Sequence, residues 1–134
     1  VIKGINHINL SVKDLDESFM FYKEILGFVP LARWRNGAYF LVGDLWFCLS
    51  LCPKGGIAKG YTHYSFTVDT DNFDIYANKL RELGVKTWKE NTSEGNSLYI
   101  LDPDGHQLEI HVGDWQSRIS HNKANPWPDA EFFV

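Results

Sequence analysis

The amino-acid sequence predicts an α+β fold built from two βαβββ repeats whose strands form curved mixed sheets. Three observations carry this expectation. Gly4-Ile5-Asn6-His7-Ile8-Asn9-Leu10-Ser11-Val12 returns as Gly60-Tyr61-Thr62-His63-Tyr64-Ser65-Phe66-Thr67-Val68, with Gly, His and Val in step at an offset of 56 residues. A segment of helical periodicity follows each copy, with Asp before it and Gly after it. Three strand-like runs then follow each helical segment. Half of such a pattern buries its sheet poorly alone, so the halves are expected to pair, within one chain or by exchange between two.

The first repeat spans residues 4–52. Its opening segment alternates side chains with the period of a strand. Asp14 to Leu26 places Leu15, Ser18, Phe19, Tyr22 and Leu26 at helical spacing and stops at Gly27, the expected start and stop signals. Strands are expected near Val29–Trp34, Ala38–Val42 and Leu45–Leu51. Residues 53–60, rich in Gly and Lys, read as a linker. The second repeat spans residues 60–112. Its helix, Asp71 to Leu83, carries Phe73, Tyr76, Ala77 and Leu80 and stops at Gly84. Its strands are expected near Val85–Lys89, Ser97–Leu101 and Gln107–Val112, the last two joined by the turn signal Asp102-Pro103-Asp104-Gly105. Residues 113–134 form an appendix: a short helix from Asp114, then Asn125-Pro126-Trp127-Pro128, then an apolar run. The 134 residues together read as one domain.

Composition narrows the function classes. The chain is 44% hydrophobic and 15% aromatic, which excludes disorder as its main state. No apolar run approaches the roughly 20 residues that cross a bilayer. The start lacks a secretory apolar core, and Val1 at the first position implies that an initiator Met was removed or left out of the numbering. A net charge of −4 argues against a broad nucleic-acid-binding face, although a local positive site can still hold an anion. Cys48 and Cys52 lie on one expected strand about 13 Å apart, beyond disulfide reach, and read as reduced thiols of a cytoplasmic protein.

Alternation along the strands separates two faces. Ile8, Leu10 and Val12 oppose His7, Asn9 and Ser11. Tyr64, Phe66 and Val68 oppose His63, Ser65 and Thr67. Leu45, Phe47, Leu49 and Leu51 oppose Trp46, Cys48, Ser50 and Cys52. Leu108, Ile110 and Val112 oppose Gln107, Glu109 and His111. His7, His63 and Glu109 thus form a candidate metal cup: two imidazoles and a carboxylate leave a divalent ion open positions for substrate. On ligand grounds Mn²⁺, Fe²⁺, Co²⁺, Ni²⁺ and Zn²⁺ all fit. His111 is a rival ligand or a partner that orients one. The polar stretch from Lys89 to Tyr99 reads either as a plain loop or as donors for an oxyanion or carbonyls for a monovalent cation.

The duplicated unit with His7, His63 and Glu109 resembles the vicinal oxygen chelate superfamily, which includes glyoxalase I and extradiol dioxygenases. Within it, the stretches Gly4-Ile5-Asn6-His7, Leu45-Trp46-Phe47-Cys48-Leu49-Ser50, Tyr61-Thr62-His63-Tyr64, Trp88-Lys89, Ser93-Glu94-Gly95-Asn96-Ser97 and Leu101-Asp102-Pro103-Asp104-Gly105-His106 resemble the fosfomycin-modifying glutathione transferases. The resemblance implies a homodimer with exchanged halves, in which His7 comes from one chain and His63 with Glu109 from the other. It implies Mn²⁺ as the working metal and K⁺ held by the loop Ser93, Glu94, Gly95, Asn96 and Ser97. It implies that Lys89, Ser93, Ser97, Tyr99 and Arg118 hold the phosphonate. Trp46 and Cys48 would wall the epoxide; Trp34 and Tyr39 would stand where glutathione arrives, with Tyr39 holding its thiol. Asn9 departs from the family pattern, which has Thr there facing the epoxide oxygen; Asn9 can donate through its amide instead. Trp127 stands where the family usually has Tyr.

The implied reaction adds glutathione to the epoxide of fosfomycin and so confers resistance to it. The rivals are attack by water or another thiol on the same metal, and glyoxalase-type isomerisation, which Cys48 weakens because a fourth protein ligand is expected near it. A rival of another class is a metal-free protein that sequesters a drug.

Overall fold

The computed structural model describes residues 3–57 and 60–134, so the expected linker at 53–60 lies partly outside the described residues, at Ala58 and Lys59. The chain divides into two compact units: one runs to Thr62 and includes Leu101–His106, the other holds His63–Ile100 and Gln107–Val134.

The first unit contains β1 (His7–Val12), α1 (Leu15–Met20), β2 (Val29–Trp34), β3 (Gly37–Val42) and β4 (Leu45–Leu51). Its sheet order is β1-β4-β3-β2, with β1 parallel to β4 and the other pairs antiparallel. Asp14 caps α1 by accepting the Glu17 N–H at 3.1 Å. The helix expected to run regularly to Leu26 instead widens into a π-helical turn over Phe21–Ile25. Leu26 donates to the Phe21 carbonyl and Phe28 to the Tyr22 carbonyl, so the chain leaves the helix one residue out of step, through Gly27 at φ +80°. That exit stacks Phe28 on Tyr22, with ring centroids 5.3 Å apart, and Tyr22 on Phe47, 4.8 Å apart. Leu10, Val12, Phe40, Phe47 and Leu49 complete this core. Each such side chain, fully buried, stabilises by about 1.5–3 kcal/mol. Pro30, with no N–H to donate, sits at a bulge in β2, the edge strand.

The second unit repeats the plan with β5 (Tyr64–Thr67), α2 (Thr70–Glu82), β6 (Thr87–Lys89), β7 (Ser97–Leu101) and β8 (Gln107–His111), in the order β5-β8-β7-β6. Its parallel pair, β5 with β8, occupies the position of β1 with β4. Phe73, Ala77 and Leu80 of α2 are buried, as are Phe66, Leu98, Ile100, Leu108 and Ile110 of the strands. The strand expected from Val85 begins only at Thr87. The Val85 N–H is taken by the Leu80 carbonyl at 3.1 Å, closing α2 in a Schellman motif with Gly84 at φ +75°. The expected terminal helix is α3 (Trp115–Ala124), opened by a reciprocal cap between Asp114 and Ser117.

Candidate metal centre and substrate face

Register fixes what each sheet presents. In the first unit His7 lies opposite Trp46, Asn9 opposite Cys48 and Ser11 opposite Ser50, while Tyr39 lies opposite Cys48. Because side chains alternate, these residues share one face, the reverse of the aromatic core. His7 stacks on Trp46 at 4.6 Å, Trp46 on Tyr39 at 5.1 Å, and Tyr39 on Trp34 at 4.7 Å. The four rings make a continuous row leading from the first expected metal ligand. At its far end Trp34 borders a cavity of about 630 Å³ shared with Lys13, Asp16, Arg33 and Arg35. Asn9 accepts the Ser50 hydroxyl at 2.9 Å through its amide oxygen, which leaves its NH₂ as the donor on this face. Cys48 is buried, and burial pushes its thiol pKa up.

In the second unit Ser65 lies opposite Glu109 and Thr67 opposite His111. The His63 Nε2 and the Glu109 Oε1 stand 3.3 Å apart. Glu109 is buried. Burial alone would raise its pKa; hydrogen bonds from Ser97 and Ser65, the neighbouring His111 charge and a hydrogen bond from Tyr99 outweigh it and hold the carboxyl below its ordinary value. An imidazole nitrogen beside an ionised carboxylate oxygen is a donor set that fits a divalent transition ion. Of the two readings of His111, rival ligand or partner that orients one, its contacts favour the second. Its Nδ1 turns to the Ser97 hydroxyl at 2.6 Å, on the Oε2 side of Glu109. Among the described residues, no group of three or more His, Cys, Asp or Glu side chains is placed to hold a metal ion within one chain.

Of the expected anion-binding residues, Lys89, Ser93, Ser97 and Tyr99 gather beside this pair, and Arg118 stands at the Glu94 end of the loop. Lys89 places its Nζ 4.5 Å from the centre of the Tyr99 ring. The Ser93 and Tyr99 hydroxyls lie 3.4 Å apart. Ser97 donates its hydroxyl hydrogen to Glu109 at 2.6 Å, a commitment not legible from spacing. Arg118, delivered by the first turn of α3, reaches the Glu94 carbonyl at 3.4 Å and its carboxylate at 3.5 Å. The loop is shaped by Asn91, which donates to the Gly95 carbonyl at 2.8 Å and accepts from Ser93. The Glu94 Oε2 is buried and faces the Arg118 Nε at 3.5 Å without a hydrogen bond between them, and this carboxylate with the loop's carbonyls is an all-oxygen set of the kind a hard monovalent cation takes.

The description Glyoxalase/Bleomycin resistance protein/Dioxygenase superfamily matches residues 4–110. The chain belongs to this superfamily. Within it, the chain groups with the fosfomycin resistance proteins. It is 42% identical to glutathione transferase FosA of Serratia marcescens over 98% of this chain and 96% of that one. It is 34% identical to metallothiol transferase FosB of Shouchella clausii over 90% of this chain and 88% of that one. Among solved structures it is similar to a variant of the fosfomycin resistance protein FosX of Listeria monocytogenes, complexed with Mn(II) and 1S,2S-dihydroxypropylphosphonic acid. There the TM-score is 0.78 at 28% identity, covering 89% of this chain and 99% of that chain. The two mixed four-stranded sheets of this chain are the superfamily's fold. Among the described residues, no helix is long and apolar enough to cross a membrane.

Proposed function

We propose that this protein is a Mn²⁺-dependent glutathione transferase that opens the epoxide of fosfomycin. The observation that carries the reading is the His63–Glu109 pair, 3.3 Å apart and surrounded by the hydroxyls of Ser65, Ser97 and Tyr99, with Lys89 over the Tyr99 ring. His63 and Glu109 hold the ion, with His7 supplied by a second copy of the chain in an exchanged homodimer. When bound, the ion supplies Lewis-acid stabilisation of the alkoxide that ring opening creates, worth several kcal/mol. Lys89, Ser93, Tyr99 and Arg118 bind the phosphonate by charge-assisted hydrogen bonds, and Ser97 contributes through Glu109. The loop 93–97 holds K⁺ through Glu94 and its carbonyls, which offsets the remaining negative charge. The Asn9 NH₂ donates toward the epoxide oxygen, and Trp46 and Cys48 wall the ring. Tyr39 holds the thiol; Lys13 and Arg35 at the end of the aromatic row suit the carboxylates of glutathione. The site belongs to a cytoplasmic protein with no nucleic-acid partner.

One observation favours a second reading, water as the nucleophile: the FosX structure holds a dihydroxypropylphosphonic acid. Water attack needs a general base beside the epoxide. On the polar-aromatic strand faces Glu109 is the sole carboxylate among the described residues, and it is the proposed metal ligand.

Phosphorus NMR of fosfomycin with purified protein and Mn²⁺ separates the readings. We expect an adduct resonance only when glutathione is present. Conversion without thiol would identify a hydrolase. No conversion by protein shown to bind Mn²⁺ would overturn fosfomycin as substrate, and no Mn²⁺ binding would favour drug sequestration.

A further inference from the structure

The Ser97 hydroxyl makes two hydrogen bonds of 2.6 Å, one to Glu109 Oε2 and one to His111 Nδ1. A hydroxyl has one hydrogen, and the carboxylate accepts it. The second contact therefore requires a hydrogen on His111 Nδ1, donated to the Ser97 oxygen. His111, Ser97 and Glu109 form a directed chain that ends on one oxygen of the carboxylate and leaves the other, Oε1, beside His63.

The imidazole at the head of this chain is fixed by shape as well. Gly95 has φ +81°; a Cβ there would lie 2.6 Å from the Val112 carbonyl oxygen and 3.1 Å from His111 Cε1. Gly113 has φ +125°; a Cβ there would lie 3.2 Å from His111 Nε2. Both positions need glycine for backbone conformation and for room, which the Val112 carbonyl takes at Gly95 and the Ser117 hydroxyl at Gly113, with this ring against both. The Val112 N–H also bonds the Asn96 carbonyl at 2.9 Å, tying loop 93–97 to the end of β8. A loop that clamps a ring, and a ring that holds a carboxylate through a hydroxyl, make one mechanical unit.

We propose that His111 is a positioning residue for the metal carboxylate: held between Gly95 and Gly113, it orients Ser97, and Ser97 orients Glu109 so that Oε1 faces the ion. This rests on the reading of His63 and Glu109 as metal ligands. It gives Ser97 a task in place of the direct phosphonate contact that the resemblance implies, and Gly95 a task besides shaping the cation loop. Outer partners of metal ligands commonly change affinity about 10–100-fold when removed.

The test is Mn²⁺ affinity, read without substrate from the electron paramagnetic resonance signal of free aqueous Mn²⁺ during titration of the purified protein. His111→Phe keeps a ring between the two glycines and removes the donor; Ser97→Ala removes the middle of the chain with little change in shape. We expect each to raise the Mn²⁺ Kd by about 10–100-fold, and the double variant to be no worse than the weaker single one. His111→Asn, which retains an N–H donor, should recover most of the loss. Wild-type affinity in His111→Phe, additive losses in the double variant, or no rescue by Asn would overturn the proposal. If wild-type protein itself bound no Mn²⁺, the metal reading would fall and this inference with it, an outcome distinct from the other three.

Discussion

Cys48 stands on the polar-aromatic face next to Asn9 and Tyr39, yet nothing about it suits a nucleophile. The thiolate is the reactive form, and burial raises the pKa of this thiol, so it stays protonated at neutral pH. The role proposed for it is that of a wall residue. Cys48→Ala should retain turnover at unchanged Mn²⁺ affinity while lowering stability by about 1 kcal/mol, the scale of one small buried group. Steady-state rates beside urea melts check this; abolished turnover at intact metal affinity would make Cys48 a catalyst. Asn9 shows how far a single residue could be read from sequence. Its amide was legible as a donor, but the direction of that donor depends on Ser50, 41 residues away, donating to the Asn9 oxygen.

At the scale of elements, the turn after β7 does more than reverse the chain. Asp102 is buried; its Oδ1 accepts the N–H groups of Asp104 and His106 at 2.9 and 2.8 Å, and its Oδ2 accepts the Tyr22 hydroxyl at 2.7 Å. His106 donates its Nε2–H to the Ser11 carbonyl at 2.7 Å, and Asp104 accepts from the Lys13 N–H and the Ser18 hydroxyl. A segment of the second repeat is thereby fastened to β1 and α1 of the first unit. Asp102→Leu strands these donors and should cost about 3 kcal/mol, whereas Asp102→Asn keeps an acceptor and a partner for Tyr22 and should cost far less. The charge adds a pH signature. Burial raises Asp102 above its ordinary 3.8, against hydrogen bonds from Tyr22 and the backbone and the charge of His106. A raised folded pKa contributes stability that is full below the unfolded value and lost as pH rises through the folded one. Wild type should therefore gain on the Asn variant as pH falls from neutral toward 3.8, measured by urea unfolding at several pH values. Asp-Pro-Asp-Gly announced the turn; its partners, up to 95 residues away, left no local signal.

For the whole molecule, the proposed exchange of halves makes a prediction that single-chain geometry does not. His7 belongs to the first unit, and His63 with Glu109 to the second. If each site draws His7 from one chain and the other ligands from its partner, His7→Ala and Glu109→Gln proteins are inactive alone. Co-expressed, they should form a heterodimer with one intact site and one doubly broken site. Recovery of glutathione-dependent turnover in the mixed dimer, isolated by two affinity tags, supports exchange. A mixed dimer as inactive as its parents would mean that each chain keeps its own ligands.

The sequence by itself determined the repeat, the order of elements and the face on which each strand residue stands. These depend on periods of two and 3.6 residues and on local caps, which neighbours in the chain specify. It likewise placed His63 and Glu109 on corresponding faces, and the structure brings them to 3.3 Å. Tertiary structure alone decided the π-helical exit after α1, the late start of β6 and the fastening of Asp102 to Tyr22. It alone decided that the Ser97 hydroxyl bridges His111 to Glu109. Each of these is a competition for a hydrogen bond or a packing space among groups distant in sequence. Which partner wins is set by where the folded backbone brings them together.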